Sequence, residues 1–581
     1  MTFPQTQDSP APAIATASCL LLEGLRAIGV EHVFANFGTD HAPIIEEFAR
    51  WRSAGRPAPN VILCPHESVA VHMAAGFTLA TGRSQAVFVH VDSGTANAAM
   101  ALHNLFRWRV PLLLMAGVAP FTSFGELPGS RDTYVHFIQQ PFDQASLVRP
   151  YVKWEYTLLS GLSAGEALRR AHTVMNSTPK GPAYLMLPRE ILTQQWPADA
   201  APAFPAETAP PLEPAGADPA AIEAMAERLL AARDPVLLTS YAGRDPAASD
   251  AIARLAALAG IRVVDYLSVH NIGWEFPEFG GIAPGPLDTV DFGLLVDIEV
   301  PWIPLTARTS EATFWAQIDV DPIKAGSPLW PFPVHMRLQG RAARILEQLA
   351  DTIERRAAPD FHAAARARRA ALVAARTARL AERDRLAADP GAAGGINPHH
   401  FCALLGERLA KSDIVINEAV TSQATVAMQI PRPLPGTMIS NPGGGLGASG
   451  GVALGVKLAR PDARVVQIVG DGTFYFNNPT AVFAVARAQA LPILTVVLDN
   501  SGWGAVKGAV QRVYPAGIAQ AREEFHSRLP TGMDFARTVE AAGGYGEQVA
   551  DPAAIPAALD RALAALAEGR SALLHVMVRP H

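Results

Sequence analysis

The stretch VVQIVGDGTFYFNN, residues 465–478, decides the fold of the last third of this 581-residue chain. Its apolar, mostly β-branched beginning is typical of a buried parallel strand, and the run ends in Gly-Asp-Gly at 470–472. That ending would suit a tight turn, because Gly and Asp are common turn residues. It would also suit a metal–phosphate site at the end of a strand, so the choice depends on the surrounding sequence.

The residues that follow favour the second alternative. A helix is predicted over roughly Pro479–Ala490, and a second apolar strand ends at Asp499 and Asn500. Parallel strands joined by a helix bring Asp471 and Asn500 to one carboxyl edge of a sheet, where ligands bind in open α/β folds. Carboxylate and amide oxygens suit Mg²⁺, and the helix N-terminus offers N–H donors to a diphosphate.

The same alternation of apolar strands and helical patterns runs through the whole chain. AVFVHV (86–91), PVLLTS (235–240) and FGLLVDI (292–298) are predicted strands, separated by longer helical stretches. We therefore predict an α/β fold with three doubly wound parallel-sheet domains. The predicted domains are 14–196, 220–355 and 397–581, joined by a Pro/Ala-rich linker (197–219) and an Ala/Arg-rich helical linker (356–396) whose arginines are expected to face solvent.

Composition excludes several classes of function. The net charge of −6 is spread along the chain and provides no basic stripe, so no nucleic-acid partner is expected. The three cysteines, Cys19, Cys64 and Cys402, form no CxxC pair, which indicates neither disulfides nor zinc and fits a reducing cytoplasm. Residues 1–18 are expected to form a polar tail and not a signal peptide, and no apolar run is long enough to span a membrane.

A glycine-rich segment upstream supports a competing hypothesis. GLGASG (445–450) matches GxGxxG, and Asp471 follows 21 residues later, close to the spacing of a dinucleotide-binding unit. An NAD-dependent dehydrogenase is therefore an alternative. The preceding segment, RPLPGTMISNPG (432–443), contains three prolines and is a poor strand, which weakens this alternative.

The GDG motif at 470–472 resembles the thiamine diphosphate motif, in which GDG is followed after about 24 to 27 residues by NN. Here the spacer has 26 residues, and Asp499 replaces the first Asn. The resemblance implies that Mg²⁺ is bound by the side chains of Asp471 and Asn500 and by the carbonyl of Gly502. It also implies further cofactor contacts from Gly470, Gly472, Thr473, Thr421, the carbonyl of Gly444, and Leu446, which would hold the cofactor in its bent shape.

The first domain supplies the expected acid–base residue, Glu67, in CPHESVAVHMAAGFTLATG (64–82). A Glu in a first helical turn is also ordinary capping chemistry. With the GDG motif present, the resemblance implies instead that Glu67 hydrogen-bonds to the cofactor and performs acid–base work. Because the two halves of such a site come from different subunits in this family, a homodimer or homotetramer is implied, with active sites at the subunit interface.

The resemblance covers nearly the whole chain and extends to the acetolactate synthases and 2-oxo-acid decarboxylases. Local motifs are most similar to the benzoylformate decarboxylase group: VHVDSGTANAAMALHN (89–104), RPYVKWEY (149–156) and INEAVTS (416–422). The first of them places His90 on a catalytic histidine, although an isolated histidine in an apolar strand is more often structural. Its implied role is proton transfer.

The loop FGTDHA (37–42) departs from that group, which has a serine where this chain has Ala42. His41 could replace a missing proton donor or could cap a helix, and Asp40 could repel an anionic substrate or orient His41. No role is assigned to His103. The decarboxylase group's second histidine has no clear counterpart.

The resemblance implies a lyase or transferase that cleaves or forms carbon–carbon bonds of 2-oxo acids. An acetolactate synthase is the nearest alternative, and a catalytically silent homologue is disfavoured because Glu67, Asp471 and Asn500 are present. FAD is possible but the sequence does not support it, since DVDP (319–322) is a shared fold marker.

Overall fold

The computed structural model describes residues 14–200, 206–266, 269–441, 443–530 and 532–580. Two compact units are found: residues up to Thr78 with Gly82–Leu212, and Leu79–Thr81 with the residues from Glu213 onward. Among the described helices, none is both long and apolar enough to cross a membrane. Residues 201–205 of the predicted linker and residues 1–13 of the predicted tail lie outside the described residues.

The first unit is built on a parallel sheet with helices against both faces. Its strands are β1 (Ile14–Thr16), β2 (His32–Ala35), β3 (Asn60–Leu63), β4 (Ala86–Val89), β5 (Leu113–Val118), β6 (Trp154–Thr157), β7 (Ala183–Pro188) and β8 (Gln195–Pro197). Its helices are α1 (Ala17–Ala27), α2 (Ala42–Ser53), α3 (Glu67–Thr81), α4 (Val91–Trp108), α5 (Val135–Ile138), α6 (Ala164–Asn176) and α7 (Arg189–Leu192).

The order of the six parallel strands is β3-β2-β4-β5-β7-β6, and β1 pairs with β8 in an antiparallel ladder. One face of the sheet packs on α1, α2 and α6 through a cluster that includes Leu22, Trp51 and Leu168. Every residue of β4 is buried, as expected for a central strand that is covered on both faces. The predicted polar tail is wrong from residue 14 onward, because β1 and the start of α1 occupy this segment and Ser18 is buried.

The second unit begins with another six-stranded parallel sheet. Its strands are β9 (Pro235–Thr239), β10 (Arg262–Asp265), β11 (Phe279–Gly281), β12 (Phe292–Val296), β13 (Phe314–Asp319) and β14 (Met336–Gln339), in the order β11-β10-β9-β12-β13-β14. Its helices are α8 (Pro219–Leu230), α9 (Pro246–Ala259) and α10 (Ala342–Arg356). The helices pack on one another and on the sheet through a continuous apolar core.

The third sheet, also in the second unit, contains the strand of the segment 465–478. Its strands run in the order β18-β17-β19-β20-β22-β21. With the short hairpin strands β15 (Gly391–Ala392) and β16 (Gly395–Ile396), the strands are β17 (Ile414–Glu418), β18 (Met438–Ser440), β19 (Val465–Gly470), β20 (Leu494–Asp499), β21 (Tyr545–Val549) and β22 (Ala572–Met577). The helices are α11 (Pro359–Ala387), α12 (Pro398–Arg408), α13 (Gln423–Gln429), α14 (Ser449–Ala459), α15 (Asp471–Phe476), α16 (Pro479–Ala488), α17 (Gly504–Val513), α18 (Ile518–Arg522), α19 (Ala536–Glu540) and α20 (Ile555–Ala567).

Three six-stranded parallel sheets confirm the predicted fold class, while the domain and linker boundaries stay predictions. As expected, β19 and β20 pair in parallel, with Gly470 opposite Leu498. The helix after the GDG motif differs from the prediction. A short helix, α15, precedes α16, and Asn478 separates them with a left-handed φ of 50°. An Asn tolerates that conformation at low cost, so it can end one helix and begin the next.

The long helix α11 lies within the predicted helical linker, and its arginines are only partly solvated. Arg368 donates to the carbonyls of Ala259 and Ala232, and Arg379 donates to the carbonyl of Phe279. These guanidinium groups satisfy carbonyl groups of the preceding sheet domain. The expectation of a fully solvated arginine face is therefore wrong for this side of α11.

Asn271 ties the second and third sheets together. This fully buried amide donates through Nδ2 to the carbonyls of Arg432 (3.0 Å) and Leu434 (2.9 Å). Its Oδ1 accepts from the backbone N–H groups of Thr437 and Met438, both at 2.9 Å. One side chain thus satisfies four backbone groups of the segment that leads into β18.

Replacing Asn271 with Ala should destabilise the second unit, because the buried N–H groups of Thr437 and Met438 lose their acceptor. The carbonyls of Arg432 and Leu434 each lose one of two donors. At about 1–3 kcal/mol for each unsatisfied buried group, with partial relaxation, we expect the free energy of unfolding to fall by about 3 kcal/mol or more. Differential scanning calorimetry would show a lower transition temperature. Asn60→Ala removes an exposed amide and is the control. Equal transition temperatures for the two variants would contradict this account.

Glu418 holds the N-terminus of α14 and the loop before it. Its buried carboxylate accepts from the backbone N–H groups of Gly447 and Ala448 (3.1 Å each) and of Ser449 (2.9 Å). It also accepts from Ser449 Oγ at 2.6 Å and from Asn441 Nδ2 at 2.8 Å. An internal anion therefore occupies the helix N-terminus to which the dehydrogenase alternative assigned a dinucleotide phosphate, and the structure rejects that alternative.

Glu418→Gln should be disruptive despite its similar shape. The amide turns one acceptor into a donor that faces backbone N–H groups, and charge-assisted bonds are lost. We expect a loss of about 3 kcal/mol in the free energy of unfolding. Thermal unfolding compared with Glu407→Gln, the same change at an exposed position, measures this. A Glu418→Gln protein as stable as the control would show that the carboxylate is not required.

Candidate active site

The predicted site residues lie at the carboxyl edges of two sheets. In the third sheet, Thr421, Asp471 and Asn500 follow the neighbouring strands β17, β19 and β20. We call them, with Gly502, the C-terminal half-site. In the first unit, the predicted residues His41, Glu67 and His90 follow β2, β3 and β4, and Asp40, for which the sequence leaves the role open, directly precedes His41. We call Asp40, Glu67 and His90 the N-terminal half-site.

The C-terminal half-site is connected by hydrogen bonds. Asp471 is buried as the first residue of α15, and its carboxylate accepts from the backbone N–H groups of Gly472 and Gly502. Asn500 donates through Nδ2 to Thr421 Oγ1 at 3.1 Å, and its Oδ1 accepts from the N–H of Gly502 at 3.3 Å. The structure therefore brings together the four residues that the sequence placed in this half-site.

Two glycines allow the backbone to approach closely here. A Cβ at Gly502 would overlap the carbonyl of Ser527, and a Cβ at Gly472 would overlap the indole of Trp503. A side chain at either position would displace the turn that carries the metal-ligand candidates. Gly470 ends β19, and Thr473 is buried in α15. Packing within the turn thus explains Gly472 and Gly502 but not Gly470, where a Cβ would have only an ordinary contact.

Asp499, the departure from the resembled motif, has its own partner. Its Oδ2 accepts from His575 Nε2 at 2.8 Å, and its Oδ1 accepts from the N–H of Ser501 at 2.8 Å. Burial opposes ionisation of Asp499, but these hydrogen bonds outweigh it and lower the pKa of Asp499. Burial and the Asp499 carboxylate raise the pKa of Asp471. The half-site therefore holds two close carboxyl groups, an arrangement that a cation would relieve.

The donor set fits Mg²⁺ and does not resemble a zinc site. Among the described residues, no group of three or more His, Cys, Asp or Glu side chains could hold a metal ion. The candidates are one carboxylate, one amide oxygen and one backbone carbonyl, which are hard oxygen ligands. The like-charge pair of Asp471 and Asp499 beside them is the structural observation that favours a divalent cation.

The loop 443–447 lies between β18 and α14, and it carries the two predicted cofactor contacts Gly444 and Leu446. Gly444 is exposed and has a φ of 74°, in the left-handed region. Leu446 is half-buried, and the next residue, Gly447, is fixed by Glu418. The loop is anchored at its end, and Gly444 and Leu446 remain accessible to a ligand.

Glu67 begins α3 and is 8% exposed. The cap of this helix is His66, whose Nδ1 accepts from the backbone N–H of Ser68 at 3.2 Å. Glu67 is therefore not needed as the cap, which was the alternative interpretation. Its Oε2 accepts from Asn97 Nδ2 at 3.1 Å, and its Oε1 lies beside Gly94, where a side chain would crowd it.

His90 lies between β4 and α4 and is hydrogen-bonded at both ring nitrogens. Nδ1 contacts the carboxylate of Asp40, and Nε2 lies 2.9 Å from Gln139 Oε1. The hydrogen bond to Asp40 outweighs burial and raises the pKa of His90. Burial opposes ionisation of Asp40, but His41 and His90 together hold the pKa of Asp40 well below its usual range.

His41 is fully buried, with its ring against Phe37 and Phe88. Its Nδ1 accepts from the backbone N–H of Gly38 at 3.1 Å and lies 3.4 Å from Asp40 Oδ1. These contacts favour the capping alternative for His41 over direct contact with a substrate. His103 packs edge-on against the ring of Tyr151, which assigns it no chemical role.

Sequence reasoning missed three residues of the two half-sites. Glu418 and His575 lie in apolar strands, and Gln139 follows a short helix in an irregular segment. Their partners, 29 to 76 residues away, are set by sheet order and loop packing. A signal existed only for His575 and Glu418, as polar residues inside otherwise apolar strands.

Comparison with known proteins finds relatives that match almost the entire chain. Benzoylformate decarboxylase of Pseudomonas aeruginosa is 26% identical over 94% of this chain and 96% of its own length. An acetolactate synthase large subunit of Haemophilus influenzae is 23% identical over 94% of this chain and 91% of its own. The structure of a thiamine diphosphate-dependent 4-hydroxybenzoylformate decarboxylase of Rhodococcus jostii has the same fold, with a TM-score of 0.76, 22% identity and coverage of 98% of this chain and 100% of that one.

Two family models match segments of the chain that contain residues of the two half-sites. The N-terminal TPP binding domain of the thiamine pyrophosphate enzymes matches residues 15–147, which contain Asp40, Glu67 and His90. The C-terminal TPP binding domain of the same enzymes matches residues 419–576, which contain Asp471 and Asn500. Thiamine pyrophosphate is another name for thiamine diphosphate. This chain belongs to the thiamine pyrophosphate enzymes.

Proposed function

We propose that this protein is a thiamine diphosphate- and Mg²⁺-dependent enzyme that cleaves or forms the carbon–carbon bond next to the carbonyl of a 2-oxo acid. The observation that carries the proposal is the hydrogen-bonded cluster of Asp471, Asn500 and Gly502, with the buried Glu67 as its counterpart in the first unit. Similarity to a benzoylformate decarboxylase over most of both chains supports the decarboxylase class.

The C-terminal half-site would hold the cofactor. Asp471, Asn500 and the carbonyl of Gly502 would bind Mg²⁺, and Thr421, Gly470, Gly472 and Thr473 would contact the diphosphate. The loop residues Gly444 and Leu446 would contact the ring system. When bound, thiamine diphosphate supplies a nucleophilic carbon for attack on the substrate carbonyl.

The N-terminal half-site would transfer protons to and from the cofactor and the substrate. Glu67 would exchange a proton with the cofactor's aminopyrimidine ring, because its carboxylate is buried but not consumed by helix capping. His90 is 19% exposed at its side chain and would donate a proton to an oxygen or carbon of the reacting substrate. His41 would act behind His90 as a structural residue, because it is fully buried.

The chain would act as a homodimer or homotetramer with active sites at the subunit interface. Large apolar side chains are exposed in residues 121–142 of the first unit: Phe121, Phe124, Tyr134, Phe137, Ile138 and Phe142. In the second unit, the segment that follows the C-terminal half-site in sequence exposes Trp503, Val513, Tyr514 and Ile518. Exposed apolar patches of this kind mark protein–protein contacts. A cytoplasmic location would suit the three free, buried cysteines.

Glu67→Gln should separate binding from chemistry. The amide retains the size of the side chain but cannot take up a proton, so we expect kcat to fall by roughly 10²–10⁴-fold. Affinity for Mg²⁺ and thiamine diphosphate, measured by calorimetry, should stay within a few-fold of wild type. Asp471→Ala is the matched opposite and should lose cofactor affinity first. Full turnover by Glu67→Gln would exclude Glu67 from the mechanism.

The function itself is tested by CO₂ release from a panel of 2-oxo acids, with the products identified. Aldehyde formation from aryl or branched substrates is the expected result. Acetolactate formed from pyruvate would instead favour a synthase, the alternative supported by the Haemophilus influenzae relative. Absence of CO₂ release by protein that binds thiamine diphosphate would contradict the 2-oxo-acid assignment. An absorption spectrum of the purified protein shows whether FAD is also bound.

A further inference from the structure

Asp40 and His90 form an acid–base pair. Asp40 lies in a loop whose sequence differs from that of the benzoylformate decarboxylase group. In this loop, FGTDHA (37–42), Ala42 replaces the serine of that group. The Asp40 side chain is 0% exposed, whereas that of His90 is 19% exposed. Only His90 can therefore meet a substrate, and Asp40 can act only through it.

We propose that Asp40 is the positioning residue of His90: it accepts the Nδ1 proton, fixes the ring, and keeps His90 as an imidazolium whose Nε2–H is directed at an anionic substrate oxygen. The proposal rests on the proposed role of His90 in proton donation. It adds Asp40 as the residue that orients His90, and it assigns His90 the imidazolium form.

The surrounding backbone leaves space for the contact between Asp40 and His90. A Cβ at Gly38 would overlap the imidazole of His90, and a Cβ at Gly117 would overlap the carboxylate of Asp40. Two glycines from different segments thus leave the space in which Asp40 and His90 meet. Val91, directly after His90, has a φ of 22°, an unfavourable value for a β-branched residue that the surrounding structure must enforce.

Both ring nitrogens of His90 face acceptors. Asp40 Oδ1 accepts at Nδ1, and Gln139 Oε1 lies 2.9 Å from Nε2. The amide orientation of Gln139 is set by its Nε2, which donates to Ser93 Oγ at 3.5 Å. An imidazole that donates from both nitrogens is the cationic form. A substrate oxygen that replaces Gln139 Oε1 would receive the same Nε2–H.

The other groups around this ring do not supply the charge that Asp40 supplies. They are His41 from the turn that carries Asp40, Asp92 on α4, and His136 on α5. His136 accepts from the backbone N–H of Asp132 at Nδ1, and burial lowers the pKa of His136, so it stays neutral. Asp92 accepts from the N–H of Ser93. Among the described residues, Asp40 is the acidic side chain that contacts the His90 ring, and Asp92 raises the pKa of His90 less, through the effect of its charge without a hydrogen bond to the ring.

The pH dependence follows from the direction of the shift. Asp40 raises the pKa of His90, so the imidazolium persists to higher pH than an unperturbed histidine and is lost as pH rises through the folded-state value. Activity that depends on the cation should decline on the alkaline side. Removing the charge of Asp40 should move this decline to lower pH.

The test is Asp40→Asn, an isosteric change, compared with Asp92→Asn, which removes the same charge two residues after His90. We expect Asp40→Asn to lower kcat on the order of 100-fold and to shift the alkaline limb to lower pH, with Asp92→Asn close to wild type. His90→Gln should lose as much, and the double variant should lose no more than either single variant, because the two residues act as a unit.

A second measurement needs neither turnover nor a stable Asp40 variant. ¹⁵N NMR of histidine-labelled wild-type protein, with His90 assigned by the loss of its signal in His90→Gln, reports the protonation of both ring nitrogens. Two protonated nitrogens at pH 6.5 to 7 are expected. A neutral ring at that pH, or additive losses in the double variant, would overturn the proposal. If the NMR result holds while no 2-oxo acid reacts, the proposed function fails and the Asp40–His90 pairing stands.

Discussion

The repulsion between the carboxylates of Asp471 and Asp499 is the constraint on which the C-terminal half-site depends. The two groups lie at one sheet edge because the neighbouring parallel strands β19 and β20 both end there. Each carboxyl group has its own hydrogen-bond donors. Asp499 is paired with His575 and with the N–H of Ser501. Asp471 accepts from the backbone N–H groups of Gly472 and Gly502 and is hydrogen-bonded to Asp499, so a cation beside it would relieve the repulsion between the two carboxyl groups.

The other buried carboxylates near the two half-sites are also satisfied by hydrogen-bond donors. Glu418 is satisfied by a helix N-terminus and thereby fixes the loop that carries Gly444 and Leu446. Asp40 is satisfied by His90 and sets the direction of its ring. In each case a buried anion gains donors and in return orders a segment that faces the site. Glu418 and Asp40 thus hold the segments that carry the proposed site residues.

The sequence predicted the parts of the fold that depend on short-range patterns. Apolar strands such as 465–470 and the helix that begins at Glu67 lie where periodicity placed them, and Asp471 and Asn500 meet at one edge because strand–helix–strand units are parallel. The rest depends on contacts distant in sequence. The partner of Asp499 is 76 residues away. Glu418, which occupies the helix N-terminus that follows GLGASG, is 30 residues from Ala448, whose N–H it accepts.

We propose that this chain binds thiamine diphosphate through a divalent cation held by the C-terminal half-site. Isothermal titration of the purified, cofactor-stripped protein with thiamine diphosphate, with Mg²⁺ or with EDTA, tests it most directly. We expect one binding event per chain with Mg²⁺ and a loss of at least 100-fold in affinity with EDTA, about 2.7 kcal/mol. Binding of equal strength in EDTA, or no binding with Mg²⁺, would contradict the account.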